Sequence, residues 1–141
     1  MVGIVKVDTL QNNAGTSSVD MDYVVNGSVK AWVNFNGRNT VSTRDSLNYS
    51  SITDNATGDF TTSYSSNFAD ANYTTNGSNF GEKNHSRGTW GIGIGLDNDT
   101  TLSSYTSSQV RMYSNYGATA SSNGGEYDSL VNHILHMGDL A

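Results

Sequence analysis

The chain has 141 residues with no cysteine and no proline, which suits one domain with a short arm and leaves no disulfide framework or thiol chemistry. Its net charge of −6 repels phosphate backbones and anionic lipids at long range. The few cations, Lys6, Lys30, Arg44, Lys83 and Arg111 among them, form no basic patch, which argues against nucleic-acid binding.

The N-terminal run Met1-Val2-Gly3-Ile4-Val5-Lys6-Val7 is too short and too weakly apolar for a signal peptide. No apolar stretch approaches the length of a membrane span, so a soluble chain without membrane insertion is expected. Val5-Lys6-Val7 alternates briefly, Gln11 to Ser18 is a polar bend, and Val19, Met21 and Tyr23 alternate with Asp20 and Asp22. Residues 1–27 therefore read as an extended arm that buries its apolar side on something else.

From residue 28 onward the pattern is that of short strands. Val29, Ala31, Val33 and Phe35 alternate with Lys30, Trp32 and Asn34, and Phe60, Thr62 and Tyr64 alternate with Thr61 and Ser63. Turn signals recur at Asn26-Gly27, Asn36-Gly37, Gly58-Asp59, Asn76-Gly77 and Gly124-Gly125. Many short strands at this spacing predict an all-β fold, an antiparallel β-sandwich of jelly-roll type over residues 28–141. Trp90 to Leu96 reads as a strand with Trp90, Ile92, Ile94 and Leu96 on one face and three glycines on the other. Bare glycine there suits a subunit contact or a core strand lying under an aromatic ring. Tyr127 to Met137 fits a helix or a strand, and the absence of a cap and of strong helix formers favours a strand.

Ile, Leu, Val and Phe number 27 of 141, a low share that predicts a core completed by partner subunits. Eight Tyr and two Trp add large buriable surfaces.

Motifs for chemistry are few. His133 and His136, three apart on a strand, point to opposite faces and make no metal pair within one chain, although three copies of one inward His around an axis could. His85 stands in a polar loop sequence with no carboxylate partner nearby in the chain. Asp97-Asn98-Asp99-Thr100 begins like a calcium loop but lacks its central Gly and closing Glu. Gly91-x-Gly93-x-Gly95 has the wrong spacing for a dinucleotide fingerprint, and no Gly-x-Ser-x-Gly elbow occurs. Neither a cofactor nor a catalytic set is predicted. The stretches from Asn72 to Asn84 and from Ser103 to Gly125 combine Tyr with Asn, Ser and Gly, a vocabulary suited to adaptable contacts. Tyr105, Tyr113 and Tyr116 are the predicted ligand-binding residues.

Lys6 to Asn12 followed by Ala14 to Ser18, then Lys30-Ala31-Trp32-Val33-Asn34-Phe35-Asn36-Gly37, Arg44 to Asn48, Ser50 to Asn55, Gly58-Asp59-Phe60 and Asp70-Ala71-Asn72-Tyr73 resemble small tail-fibre-like virion structural proteins of marine tailed phages. The resemblance covers about residues 4–75 and fades beyond, and Arg38-Asn39-Thr40 replaces the small glycine-containing turn usual in that group. It implies a non-enzymatic protein on the virion surface: a homotrimeric fibre or receptor-binding knob that contacts other virion proteins through its arm and a host surface glycan or protein through its body. A capsid decoration or head-fibre protein is the alternative, and a carbohydrate-active enzyme a more distant one.

Overall fold

The computed structural model describes residues 3, 5–80, 90–94, 105–117 and 124–141. The chain opens with a hairpin of β1 (Thr9–Gln11) and β2 (Ser18–Asp20). Its turn is shaped by one side chain: Asn12 Oδ1 accepts from the backbone N–H groups of Thr16 at 2.9 Å and Ser17 at 3.1 Å. The predicted alternation through Tyr23 stops at Asp20, and a helix α1 (Met21–Gly27) follows instead of a longer strand. The reason is a cap. Asp20 is extended, and its carboxylate accepts from Asp22 N at 2.9 Å, the arrangement that satisfies an orphan N–H at a helix start. At 3.6 residues per turn, Met21, Val24 and Val25 fall on one side of α1, yet no residue of the helix is buried.

The remaining strands are β3 (Val29–Asn36), β4 (Ser42–Leu47), β5 (Tyr49–Ala56), β6 (Asp59–Tyr64), β7 (Thr74–Phe80), β8 (Trp90–Ile94), β9 (Gln109–Tyr116), β10 (Gly125–Glu126) and β11 (Val131–Met137). All described pairings are antiparallel. One sheet runs β4-β3-β11-β7; the other runs β10-β9-β6-β5, with β8 on the far side of β9. The fold is all-β, as predicted, and Val131–Met137 is a strand.

The alternation read from the sequence sets which side chains turn inward. Ala31, Val33 and Phe35 of β3, Phe60, Thr62 and Tyr64 of β6, Val110, Met112 and Ser114 of β9, and Asn132, Ile134 and His136 of β11 are all buried. Val33, Phe35 and Ile134 from the first sheet meet Phe60 and Met112 from the second in one apolar cluster. Phe35 and Phe60 touch edge to face at 5.2 Å between ring centres. Each such side chain contributes on the order of 1.5–3 kcal/mol when fully buried.

The chain passes from one sheet to the other through a single residue. Asn48 separates β4 from β5 and is left-handed at φ 59°, a conformation that Asn tolerates better than most residues. Its amide bonds Ser66 on both sides, Nδ2 to Ser66 O at 3.0 Å and Oδ1 from Ser66 N at 2.7 Å.

Asn76-Gly77, predicted to be a turn, lies inside β7. A Cβ on Gly77 would stand 3.0 Å from His133 O and 3.1 Å from Ile92. The glycine is there for close approach by β8, not for a turn, an ambiguity that local sequence does not resolve. Replacing Gly77 with Val is expected to cost about 1–3 kcal/mol by crowding Ile92, read as a lower urea midpoint with an unchanged m-value. Gly91 and Gly93 pair with Asn115 and Tyr113, and the cover over Gly91 is the Asn115 amide at 3.6 Å from a built Cβ, where an aromatic ring was one expectation. Leu96 and Gly95 lie outside the described residues. No helix among the described residues is long and apolar enough to cross a membrane.

Candidate functional site

The three predicted tyrosines do not converge. Tyr105 belongs to the interior: its ring stacks on Tyr73 with centres 4.5 Å apart, its hydroxyl donates to the Tyr73 carbonyl, and burial raises its pKa. Tyr116, at the end of β9, meets Tyr127 edge to face at 6.2 Å. The Tyr127 ring lies 5.3 Å from the Arg38 guanidinium, which also donates to the Tyr127 hydroxyl. Only Tyr113 lies on an outward sheet face, among Gln109, Arg111 and Asn115 of β9, whose inward residues are Val110, Met112 and Ser114.

Around Tyr113 the groups hold one another. Asp59 Oδ1 accepts from Arg111 Nε at 2.8 Å, and Oδ2 accepts from Arg111 Nη2 at 2.5 Å, the two-pronged geometry that makes Arg–carboxylate pairs strong. Asn55 Nδ2 donates to Asp59 Oδ1 at 3.1 Å and to Thr61 Oγ1 at 2.9 Å. The guanidinium lies 5.5 Å from the Tyr113 ring centre, within cation–π range. Tyr113 is thereby a ring fixed on a polar scaffold, a geometry suited to contact by stacking and hydrogen bonding.

Tyr105 backs an aromatic cage around His136, its ring stacked on Tyr73 and its hydroxyl 3.3 Å from Thr75 Oγ1. The imidazole is fully buried. Nε2 lies 2.6 Å from Tyr49 Oη and Nδ1 lies 2.7 Å from Thr75 Oγ1. Tyr64 and Tyr73 present edges to it, each at 5.3 Å between ring centres, and Phe68 stacks on Tyr73 at 4.2 Å. Burial pushes the imidazole down to about 4 and the Tyr73 hydroxyl up to about 12. Burial also drives Tyr49 and Tyr64 well above the ordinary tyrosine range. With both ring nitrogens committed, His136 is a polar core residue and not an axial metal ligand. His133 does point to the opposite face, where Phe80 meets it edge-on at 5.6 Å. Among the described residues no group of three His, Asp or Glu side chains is placed to hold a metal ion. His85 and Asp97-Asn98-Asp99-Thr100 lie outside the described residues.

The surface that the tyrosine prediction missed is the outward face of the four-stranded sheet. Its rows follow from register. Leu47, Trp32, Leu135 and Asn76 stand side by side across β4, β3, β11 and β7, and Asp45, Asn34, His133 and Ser78 form the next row. Trp32, Leu135, Asn76, Ser78 and His133 line a shallow depression of about 250 Å³. The signal was in the alternation itself: the period that sends Ala31 and Val33 inward sends a tryptophan outward.

No protein-family model, curated protein or solved structure matches the chain.

Proposed function

We propose that the chain is a structural protein of a tailed-phage virion, a homotrimeric, jelly-roll-like β-sandwich knob that binds the host surface and carries out no catalysis. Residues 1–27 serve as the attachment arm to other virion proteins, and residues 28–141 form the knob. The observation that carries this reading is the contrast between the two parts. Val5, Leu10, Val19, Tyr23 and Val25 are exposed at 86%, 46%, 39%, 76% and 51%, while the strands from β3 onward close around well-filled clusters. A segment that displays this much apolar side chain is suited to burial on another protein. The phage-like residues of the front half support the same reading. A trimer multiplies weak single contacts to a host glycan or protein into useful avidity, and Tyr113 on its Asp59–Arg111 scaffold is a rigid contact point for such a ligand.

Gold-labelled antibody against the protein, applied to intact virions, tests the proposal. Label at the tail or fibre tips is the expected result. Label spread over the head would replace host attachment with capsid decoration, and virions without label would overturn the virion assignment.

A further inference from the structure

Asparagine followed by glycine is the pair most prone to lose its side-chain amide, because glycine has no side chain to hinder ring closure and its backbone turns freely. The reaction needs only water. The glycine nitrogen bonds Asn Cγ, the Cγ–Nδ2 bond breaks, and the amide leaves as ammonia with the proton that the nitrogen gives up. Water then opens the cyclic imide at one of its two carbonyls, leaving aspartate or isoaspartate. Ring closure turns the glycine nitrogen toward the preceding side chain, so a backbone held by its hydrogen bonds must first open locally.

Four such pairs occur, Asn26-Gly27, Asn36-Gly37, Asn76-Gly77 and Asn123-Gly124, and Asn123 lies outside the described residues. The structure separates the other three. At Asn36 both reacting groups are tied. Gly37 N donates to Ser129 O at 3.0 Å. Asn36 Nδ2 donates to Arg38 O at 3.0 Å and to Thr40 O at 3.3 Å, while Oδ1 accepts from Arg38 N at 3.1 Å. A Cβ on Gly37 would stand 2.7 Å from the Phe60 ring, so the backbone has no room to turn. Asn76 lies inside β7, all seven residues of which pair with β11, and Ile92 covers Gly77. Turning the backbone there breaks a sheet. Asn26 is held only by α1, a seven-residue helix that buries none of its side chains. Asn26 and Gly27 are exposed, and a Cβ on Gly27 would meet no atom within 4 Å. Helices this short are marginal on their own, and their ends fray first.

We infer that Asn26 is a modification site, converted by water alone to aspartate and isoaspartate in the folded chain, and that the conversion loosens helix α1 where it joins β3. The product opposes the helix in three ways. A carboxylate at position 26 stands at a helix C-terminus, where the dipole disfavours negative charge. Asp70 and Asp139 line the same surface depression as Asn26, so the new charge faces two of its own sign. Lys30 is the cation at this end, and its ammonium is engaged with Val25 O and Ser28 Oγ. Isoaspartate also adds a methylene to the backbone, which puts the carbonyl and N–H groups of the last turn out of step.

Peptide mapping by mass spectrometry tests the site, on the full chain aged under mildly alkaline conditions with and without urea. In the folded chain Asn26 is expected to convert at least about tenfold faster than Asn36 or Asn76, and in urea the three rates are expected to fall within about threefold of one another. Gly27→Ala, whose added methyl meets no atom, is expected to slow conversion at Asn26 at least about tenfold and to leave Asn36 and Asn76 as they are. A folded chain in which Asn36 or Asn76 converts as fast as Asn26 would overturn the site, and so would a Gly27→Ala chain that ages at the wild-type rate. A spread of rates that persists in urea would remove the fold as its cause. The effect on the helix is read separately with Asn26→Asp, which carries the charge from the start. Chymotrypsin is expected to cut it after Tyr23, which is 76% exposed, about threefold faster than wild type. Equal cutting of the two chains would overturn the loosening.

Discussion

Unfolding by urea at pH 7 and at pH 4 is expected to give free energies that differ by about 3 kcal/mol, with the acid value lower. The group responsible is His136. Burial lowers its folded pKa from 6.5 to about 4, so between those values the unfolded chain binds a proton that the folded chain excludes. Stability from this group is complete above about 6.5 and is lost as the pH falls toward 4. At about 1.4 kcal/mol per tenfold change in proton affinity, the displacement amounts to about 3 kcal/mol. The side chains around the ring, Tyr49, Tyr64, Phe68, Tyr73 and Thr75, carry no charge to offset an imidazolium, and burial holds the three tyrosine hydroxyls above their usual range. Asp70, whose carboxylate is held below the usual range by the Asn72 backbone N–H, acts only at lower pH. The His136→Gln variant separates the causes. It is expected to be less stable at pH 7 and to lose most of the pH dependence between 6.5 and 4. A variant that keeps the full dependence would assign the acid sensitivity to carboxylates.

The second large effect is expected at Gly58. The β5–β6 hairpin closes over Thr57 and Gly58, with Ala56 facing Asp59, and Gly58 is left-handed at φ 69°. Three segments are tied at this point. Ser114 N donates to Gly58 O at 2.7 Å, Gly58 N donates to Asp128 Oδ1 at 2.7 Å, and Tyr127 N donates to Ser114 O at 2.9 Å. A Cβ on residue 58 would stand 2.5 Å from both Ser114 O and Tyr127 N. Those are backbone atoms, which have no rotamer by which to retreat. The left-handed conformation costs about 1–2 kcal/mol for a residue with a Cβ, and the crowding costs about 1–3 kcal/mol more. Gly58→Ala is thus expected to destabilise by about 2–5 kcal/mol in equilibrium unfolding. Thr57→Ala beside it, at an exposed position, is expected to stay within about 0.5 kcal/mol.

What the sequence made legible was whatever depends on near neighbours. Period-two alternation located β3 and β6 and divided their residues between inside and outside, while β11 was read as a strand from its lack of a helix cap and of strong helix formers, and the separation of His133 from His136 followed from that. Local rules failed where two of them competed. The alternation of Val19, Met21 and Tyr23 was overruled at Asp20 by a capping carboxylate, and the Asn76-Gly77 turn signal was overruled by the approach of Ile92 from the other sheet. The aromatic cage was not legible at all. His136 finds its partners at Tyr49 and Thr75, which lie 87 and 61 residues earlier in the chain, and no window in the sequence holds them together. That is why Tyr105 read as a surface contact: its Asn- and Ser-rich surroundings are polar in sequence, while its ring is packed on Tyr73 in space. Trp32 stands in the sequence as an alternation partner of Ala31 and Val33, but its significance depended on Leu47 and Leu135 arriving beside it from other strands.

The bulges and charges of the outermost strands have a bearing on crowding. Within the described structure β4 pairs with β3 alone and β5 with β6 alone, so each leaves a row of backbone donors and acceptors open to any passing strand. Both rows are interrupted. The β3–β4 ladder shifts at Asn34/Phe35, beside Arg44 and Asp45, and the β5–β6 ladder shifts at Tyr49/Ser51 and again at Asp54/Ala56, beside Asp54. A neighbouring chain that tried to add to β4 or β5 would meet a kinked template and a desolvated charge. Growth of a shared cross-β ribbon through these two strands is therefore disfavoured even where many copies are held at high local density.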